Sequence, residues 1–245
     1  MFTYDKIKNK PQLLRAMTTL DEAEFEELLP SFQAALDAYV KETSLSLQKR
    51  QRQPGGGRKT ILRTTADKLL FILYYCKAYP LQEILAFEFS LSQGDACTWV
   101  HILSEVLKRA LASMGHLPER DPSQLAANLA QSGESVLGID GTERRIQRPK
   151  DAQKQKQYYS GKKKAHTVKN NVIVTFGSRR VKYLSGTHEG KKHDKKICDE
   201  EQPTLPKGIT LYKDLGFQGY EPAGINTLQP KKKPRGKELS EDKPV

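Results

Sequence analysis

The chain has 245 residues, 37% of them hydrophobic, and its 41 Lys plus Arg against 29 Asp plus Glu leave a formal net charge of +12 and a sequence pI near 9.5. That length holds one sizeable core or a small domain joined to a medium one, and the sign of the charge favours polyanionic partners. The longest apolar run, Leu69 to Cys76, falls far short of the roughly 20 residues that cross a bilayer. The opening Met-Phe-Thr-Tyr-Asp-Lys lacks the regions of a signal peptide. Three scattered cysteines, Cys76, Cys97 and Cys198, indicate neither a disulfide frame nor a zinc knuckle. The expected setting is a reducing, cytoplasmic compartment that contains nucleic acid, with no membrane partner.

Residues 1–47 read as acidic N-terminal helices, with four Lys or Arg and seven Asp or Glu in the first 40. Thr19-Leu-Asp-Glu22 has capping-box spacing. Phe25, Leu28, Leu29, Phe32, Leu36 and Val40 then keep to one helical face, with a kink expected at Pro30. Residues 48–63 form a basic linker whose Pro54 and three glycines forbid regular structure. Its cations, Arg58 and Lys59 among them, can also follow a phosphate backbone as an arm.

Residues 64–115 predict a helix after Thr64 that is apolar nearly all round, through Leu69, Leu70, Ile72, Leu73 and Tyr75. A second helix is expected from Leu81 to Phe89, then the break Ser90-Leu91-Ser92, then a long helix from Gln93 to about Ala112. Two helices joined by a three-residue turn, the second opened by a capping serine, match a helix-turn-helix. In that motif Gln93, Gly94, Asp95 and Thr98 sit near base edges in the major groove. Ordinary packing of two helices fits the same spacing.

Residues 116–133, with prolines and mixed polarity, read as a linker. Beyond them the periodicity changes. Ser135 to Asp140 predicts a short buried strand that ends on Asp-Gly, and Thr142 to Arg148 an adjoining one. Further strands are expected within 166–176, 179–185 and 209–213, and a short helix between Asp194 and Glu201. The fold class is therefore α/β, α+β overall: an all-helical first half, then a sheet that opens mostly antiparallel. Residues 142–169 hold ten basic and two acidic residues, and clusters follow at 179–196 and 231–237. A solvated face and a polyanion-binding surface both fit such runs.

Two strand-like segments end in aspartate in the same way, Val136-Leu-Gly-Ile-Asp140-Gly and Ile209-Thr-Leu-Tyr-Lys-Asp214. Asp-Gly is also the commonest turn dipeptide. If the two strands are neighbours, however, the carboxylates converge, and glycine alongside lets a substrate backbone come close. Converging oxygens suit Mg²⁺ or Mn²⁺. In phosphodiester chemistry a pair of such ions activates the attacking oxygen and neutralises the leaving one.

Gly138-Ile-Asp-Gly-Thr-Glu-Arg-Arg-Ile-Gln-Arg-Pro, Tyr158-Tyr-Ser-Gly-Lys-Lys-Lys-Ala-His-Thr-Val-Lys169, Gly190-Lys-Lys-His-Asp194 and Asp214-Leu-Gly-Phe-Gln-Gly occur in that order. Together they resemble the DDE transposases of bacterial insertion sequences, most of all the type-five insertion-sequence family related to Harbinger-like DDE endonucleases. The resemblance implies an RNase H-like catalytic domain over residues 134–245 behind a helix-turn-helix region. It implies cleavage and strand transfer at transposon ends, with double-stranded DNA, both inverted repeats and target, as partner. Three carboxylates would bind two divalent ions. Asp140 matches the first catalytic and metal-binding aspartate and Asp214 the second. Lys162, Lys163, Lys164 and Lys169 stand where phosphates are gripped. His193 and Asp194 match a recurrent His-Asp pair, expected to be structural or to support the ligands.

The family's third carboxylate is a glutamate on a helix well past the second aspartate. Glu238 and Glu241 look too early for it, and Pro244 prevents a normal helix there. The expectation is therefore a catalytic domain lacking its C-terminal part. On that expectation the chain is a transposase without its glutamate, a DNA-binding remnant or regulator, or a partner of a homo-oligomer or complementing fragment.

Overall fold

The computed structural model describes residues 1–46 and 60–230. They fall into two units that divide between Leu117 and Pro118. The first unit is helical: α1 (Tyr4–Ile7), α2 (Pro11–Thr18), α3 (Glu22–Ser46), α4 (Thr65–Ala78), α5 (Gln82–Phe89) and α6 (Gln93–Ser113). Local chemistry sets the starts of these helices. Pro11 opens α2, where its missing N–H costs nothing. The Thr64 side chain accepts from the Asp67 amide at α4, and that of Ser92 from the Asp95 amide at α6.

α3 runs through Pro30 as one helix. Phe25 and Phe32 of α3 share one core with Leu69 to Ile72 of α4, Phe89 of α5, and Leu103 and Val106 of α6. The acidic first helices and the pair α5–α6 are thus one packing unit. Asp67 accepts a hydrogen bond from the Tyr4 amide at 2.9 Å, tying α4 to the chain's first turn. No described helix is long and apolar enough to cross a membrane.

The second unit contains α7 (Leu125–Ser132), β1 (Val136–Arg145), α8 (Ala152–Tyr158), β2 (Tyr159–Ser160), β3 (Ala165–Thr175), β4 (Val181–Leu184), β5 (His188–Glu189), α9 (Asp194–Glu201), β6 (Thr210–Lys213) and β7 (Asn226–Leu228). The strand order is β2-β3-β1-β6-β7, with β4 and β5 also paired to β3. β3 lies antiparallel to β1, β2, β4 and β5, whereas β6 runs parallel to both β1 and β7. Helices followed by a mixed sheet make the protein α+β.

Two expectations change here. The first strand does not stop at Asp140. Its register with β3 runs unbroken from Leu137 opposite Thr175 to Arg145 opposite Thr167, with Gly141 opposite Asn171. Asp-Gly here is strand interior, where glycine marks a close approach rather than a turn. The segment read as linker also holds α7, whose Leu125 and Leu129 are one helical turn apart and both buried.

Leu137 and Ile139 of β1, Ile173 of β3, Leu211 of β6 and Cys198 of α9 join α7 in one apolar cluster. The intervening residues, Val136, Gly138 and Asp140, point to the other side of the sheet by the strand's period of two. On that side Val136, Phe176 and Tyr212 are exposed.

Candidate active site

The last parallel pair between β1 and β6 is Ile139 opposite Lys213. One residue beyond that pair come Asp140, still within β1, and Asp214, just past the end of β6, where the two strands are spaced about 4.8 Å apart. Both line one cavity of about 520 Å³, walled by Gly138, Val174, Phe176, Tyr212 and Leu228. Both residues are exposed. Oδ1 of Asp140 accepts from the Gly141 amide at 2.7 Å, and Oδ1 of Asp214 from the Gly216 amide at 2.8 Å. The second contact caps the 3-10 turn Leu215–Phe217. One oxygen of each carboxylate is thus fixed by backbone.

The nearby buried cations are occupied elsewhere. Lys213 donates to the Tyr220 carbonyl at 2.6 Å and pairs with Glu221 at 2.5 Å, its own side chain 1% exposed. That pairing, with a hydrogen bond from Thr227, holds the Glu221 carboxyl below its ordinary range. Lys169 lies 3.3 Å from Oδ1 of Asp194 and donates to the Lys192 carbonyl at 3.1 Å. Of the four lysines expected to grip phosphates, this one turns inward.

Asp194, the first residue of α9, packs against the backbone that carries the two exposed aspartates. A Cβ on Gly141 would stand 2.8 Å from the Asp194 carboxylate. A Cβ on Gly216 would stand 3.2 Å from Oδ2 of Asp194 and 3.0 Å from Oδ1 of Asp214. Asn171, opposite Gly141 in the sheet, donates to the Asp194 carbonyl at 2.8 Å. His193 is exposed and makes no capping bond. Among the described residues no group of three or more His, Cys, Asp or Glu is placed to hold a metal ion.

Glu143, on the same side of β1 as Gly141, accepts from the Thr167 hydroxyl at 2.6 Å. Burial works to raise its carboxyl, but hydrogen bonds from Ser160 and Thr167 and the charges of Lys169 and Lys163 outweigh that and hold it low. Lys162, Lys163 and Lys164 are exposed in the turn from β2 to β3. The Ser160 hydroxyl accepts from the Lys163 amide there at 3.2 Å.

In the first unit Gln93, Gly94, Asp95 and Thr98 are exposed on the first turns of α6. Asp95 closes the cap with Ser92, and Gln93 donates to Gln82 of α5 at 2.6 Å. Thr98 donates to the Gly94 carbonyl at 2.9 Å. Arg58 and Lys59 lie outside the described residues. Gly216 and Asn171 are not among the residues that the sequence singles out; the spacing Asp214-Leu-Gly216, an aspartate two residues before a free amide, is the available signal for the first.

Residues 139–244 match the family model described as DDE superfamily endonuclease. The segment belongs to that superfamily. The DDE segment begins one residue before Asp140 and includes Asp194 and Asp214. Enzymes of the superfamily generally use divalent metal ions and act on DNA. The chain is also similar to the probable transposase for insertion sequence element IS702 of Microchaete diplosiphon, 26% identical over 208 residues, which are 83% of this chain and 70% of the relative. No solved structure matches the chain.

Proposed function

We propose that the chain is the transposase of an insertion sequence, cutting DNA strands at transposon ends and transferring them, with Asp140 and Asp214 as its metal-binding carboxylates. The observation that carries this reading is that both line one cavity, each directly after the last paired residues of the adjacent parallel strands β1 and β6. The donor set fits a hard divalent cation: two carboxylates, each with one oxygen fixed by a backbone amide, and neighbouring lysines committed to other acids. When bound, such ions supply the charge that activates the attacking oxygen and neutralises the leaving one.

The rest is the work of the chain's own residues. The Gly141 and Gly216 amides hold the carboxylate planes. Lys162, Lys163 and Lys164 draw the phosphate backbone towards the sheet, and the exposed start of α6 is the candidate for base contacts at the inverted repeats. The reading requires a third oxygen ligand from outside the described residues.

A second reading has one observation in its favour. Among the described residues no third carboxylate joins the pair, as expected of a DNA-binding regulator without catalysis. Nicking of supercoiled DNA in Mn²⁺, read beside DNA affinity, separates the two. Transposase chemistry predicts that Asp140→Asn and Asp214→Asn each abolish nicking and leave DNA affinity intact. Cleavage unchanged in both variants refutes the metal site. Salt-sensitive DNA binding that ignores Mn²⁺, with no nicking in the unsubstituted chain, establishes the regulator.

A further inference from the structure

The carboxylate of Asp194 lies where side chains of residues 141 and 216 would otherwise be, 2.8 Å and 3.2 Å from the Cβ positions those residues lack. Gly141 directly follows Asp140, and the Gly216 amide holds Asp214. Asp194 is itself fixed from two directions, by Lys169 on its carboxylate and by Asn171 on its carbonyl. The side chains of this ion pair are 14% and 22% exposed. The side chains of residues 140 and 141 leave β1 on opposite faces. Asp194 therefore meets the strand from the α9 side, while Asp140 turns to the cavity.

We infer that Asp194, anchored by Lys169, is a positioning residue that sets the spacing of Asp140 and Asp214 by packing against the backbone behind both. The inference rests on the metal-site reading above. On this reading Asp194 is a support and not a ligand. Its charge is matched by Lys169, so it fixes geometry without adding a ligand, in keeping with the absence of a three-residue metal group among the described residues. Groups that orient ligands in this way typically change metal affinity by about 10- to 100-fold when removed.

The test is Mn²⁺ titration of the full chain, followed by the loss of the free-ion electron paramagnetic resonance signal, with thermal melting recorded for each variant. Asp140→Asn is measured first. If it binds Mn²⁺ as the unsubstituted chain does, the metal-site reading fails and the inference fails with it. If Asp140→Asn abolishes binding, Asp194→Ala is expected to weaken it about tenfold or more at a temperature where the variant remains folded. Asp194→Asn, which refills the same space, should recover at least half of that loss on a logarithmic scale. Affinity unchanged in Asp194→Ala overturns the inference and leaves the metal site standing. Asn as weak as Ala overturns the spacing argument. Should Asp194→Ala not fold, Asp194→Ser, which also empties the space against Gly141 and Gly216, decides in its place: a several-fold loss of affinity supports the inference, and an unchanged affinity refutes it.

Discussion

Gly141→Ala tests the close approach at the centre of the DDE segment. The added methyl would stand 2.8 Å from a carboxylate held by Lys169 and by the start of α9. Forcing a methyl into a filled site costs about 1–3 kcal/mol. Replacing glycine restricts the unfolded chain and returns about 0.4–1 kcal/mol. The balance is a loss of about 1–2 kcal/mol, or roughly 3–10 °C in the melting temperature of a unit this size. Gly138→Ala is the control. Its methyl would meet the Phe176 ring at 3.1 Å, but Phe176 is 53% exposed and packs edge-on against exposed Tyr212, so the ring has room to shift. Calorimetric melts should show Gly138→Ala less destabilised than Gly141→Ala, its contact cost offset by the same return of about 0.4–1 kcal/mol. The decisive comparison is a double-mutant cycle: in an Asp194→Ala background the space is open, and Gly141→Ala should cost nothing or stabilise. An equal cost in both backgrounds refutes the close approach.

Three further outcomes are expected. Replacing Lys162, Lys163 and Lys164 together by alanine should weaken binding to any duplex, and should lower the salt slope by up to about 2.7, close to 0.9 for each phosphate that is no longer neutralised; an unchanged slope removes this turn from the DNA surface. Burial pushes the Cys198 thiol up to about 12 against the opposing hydrogen bond from Asn171, so at pH 8 a thiol reagent should modify exposed Cys76 and reach Cys198 only in denaturant. Glu143 has its folded value held below the ordinary 4.5, so its contribution is present above that pH and disappears as pH falls through the folded value. Glu143→Gln should therefore lower the unfolding free energy read from urea melts at pH 7 by an amount on the order of 1 kcal/mol, and match the parent in strong acid.

How much of this is legible in the sequence depends on the range of the interaction. α6 is readable because its start is local: Ser92 and Asp95 are three residues apart and cap one helix. α9 is readable for a similar reason, as are the short strands ending near Leu184 and Lys213. α7 escapes a sequence reading because its apolar signal rests on Leu125 and Leu129, both fully buried, and prolines precede it. The adjacency of Asp140 and Asp214 is legible only as a conditional, since the parallel pairing of β1 with β6 joins residues more than seventy positions apart. The inward turn of Lys169 is not legible at all: charge counting treats every lysine in a basic run alike, and only the fold supplies Asp194 as its partner.

The Asp140-Gly141 pair shows why the turn reading and the ligand reading of one dipeptide are both incomplete. A turn would place aspartate and glycine at a chain reversal, and a ligand would need glycine only for access by substrate. In the strand, alternation sends the two positions to opposite faces. The carboxylate of Asp140 faces the cavity, and the missing side chain of Gly141 faces α9, where Asp194 and Lys169 fill the space. Two adjacent residues therefore serve two different surfaces. Substituting either should disturb a different measurement first: metal binding for Asp140, and stability together with the Asp194 packing for Gly141.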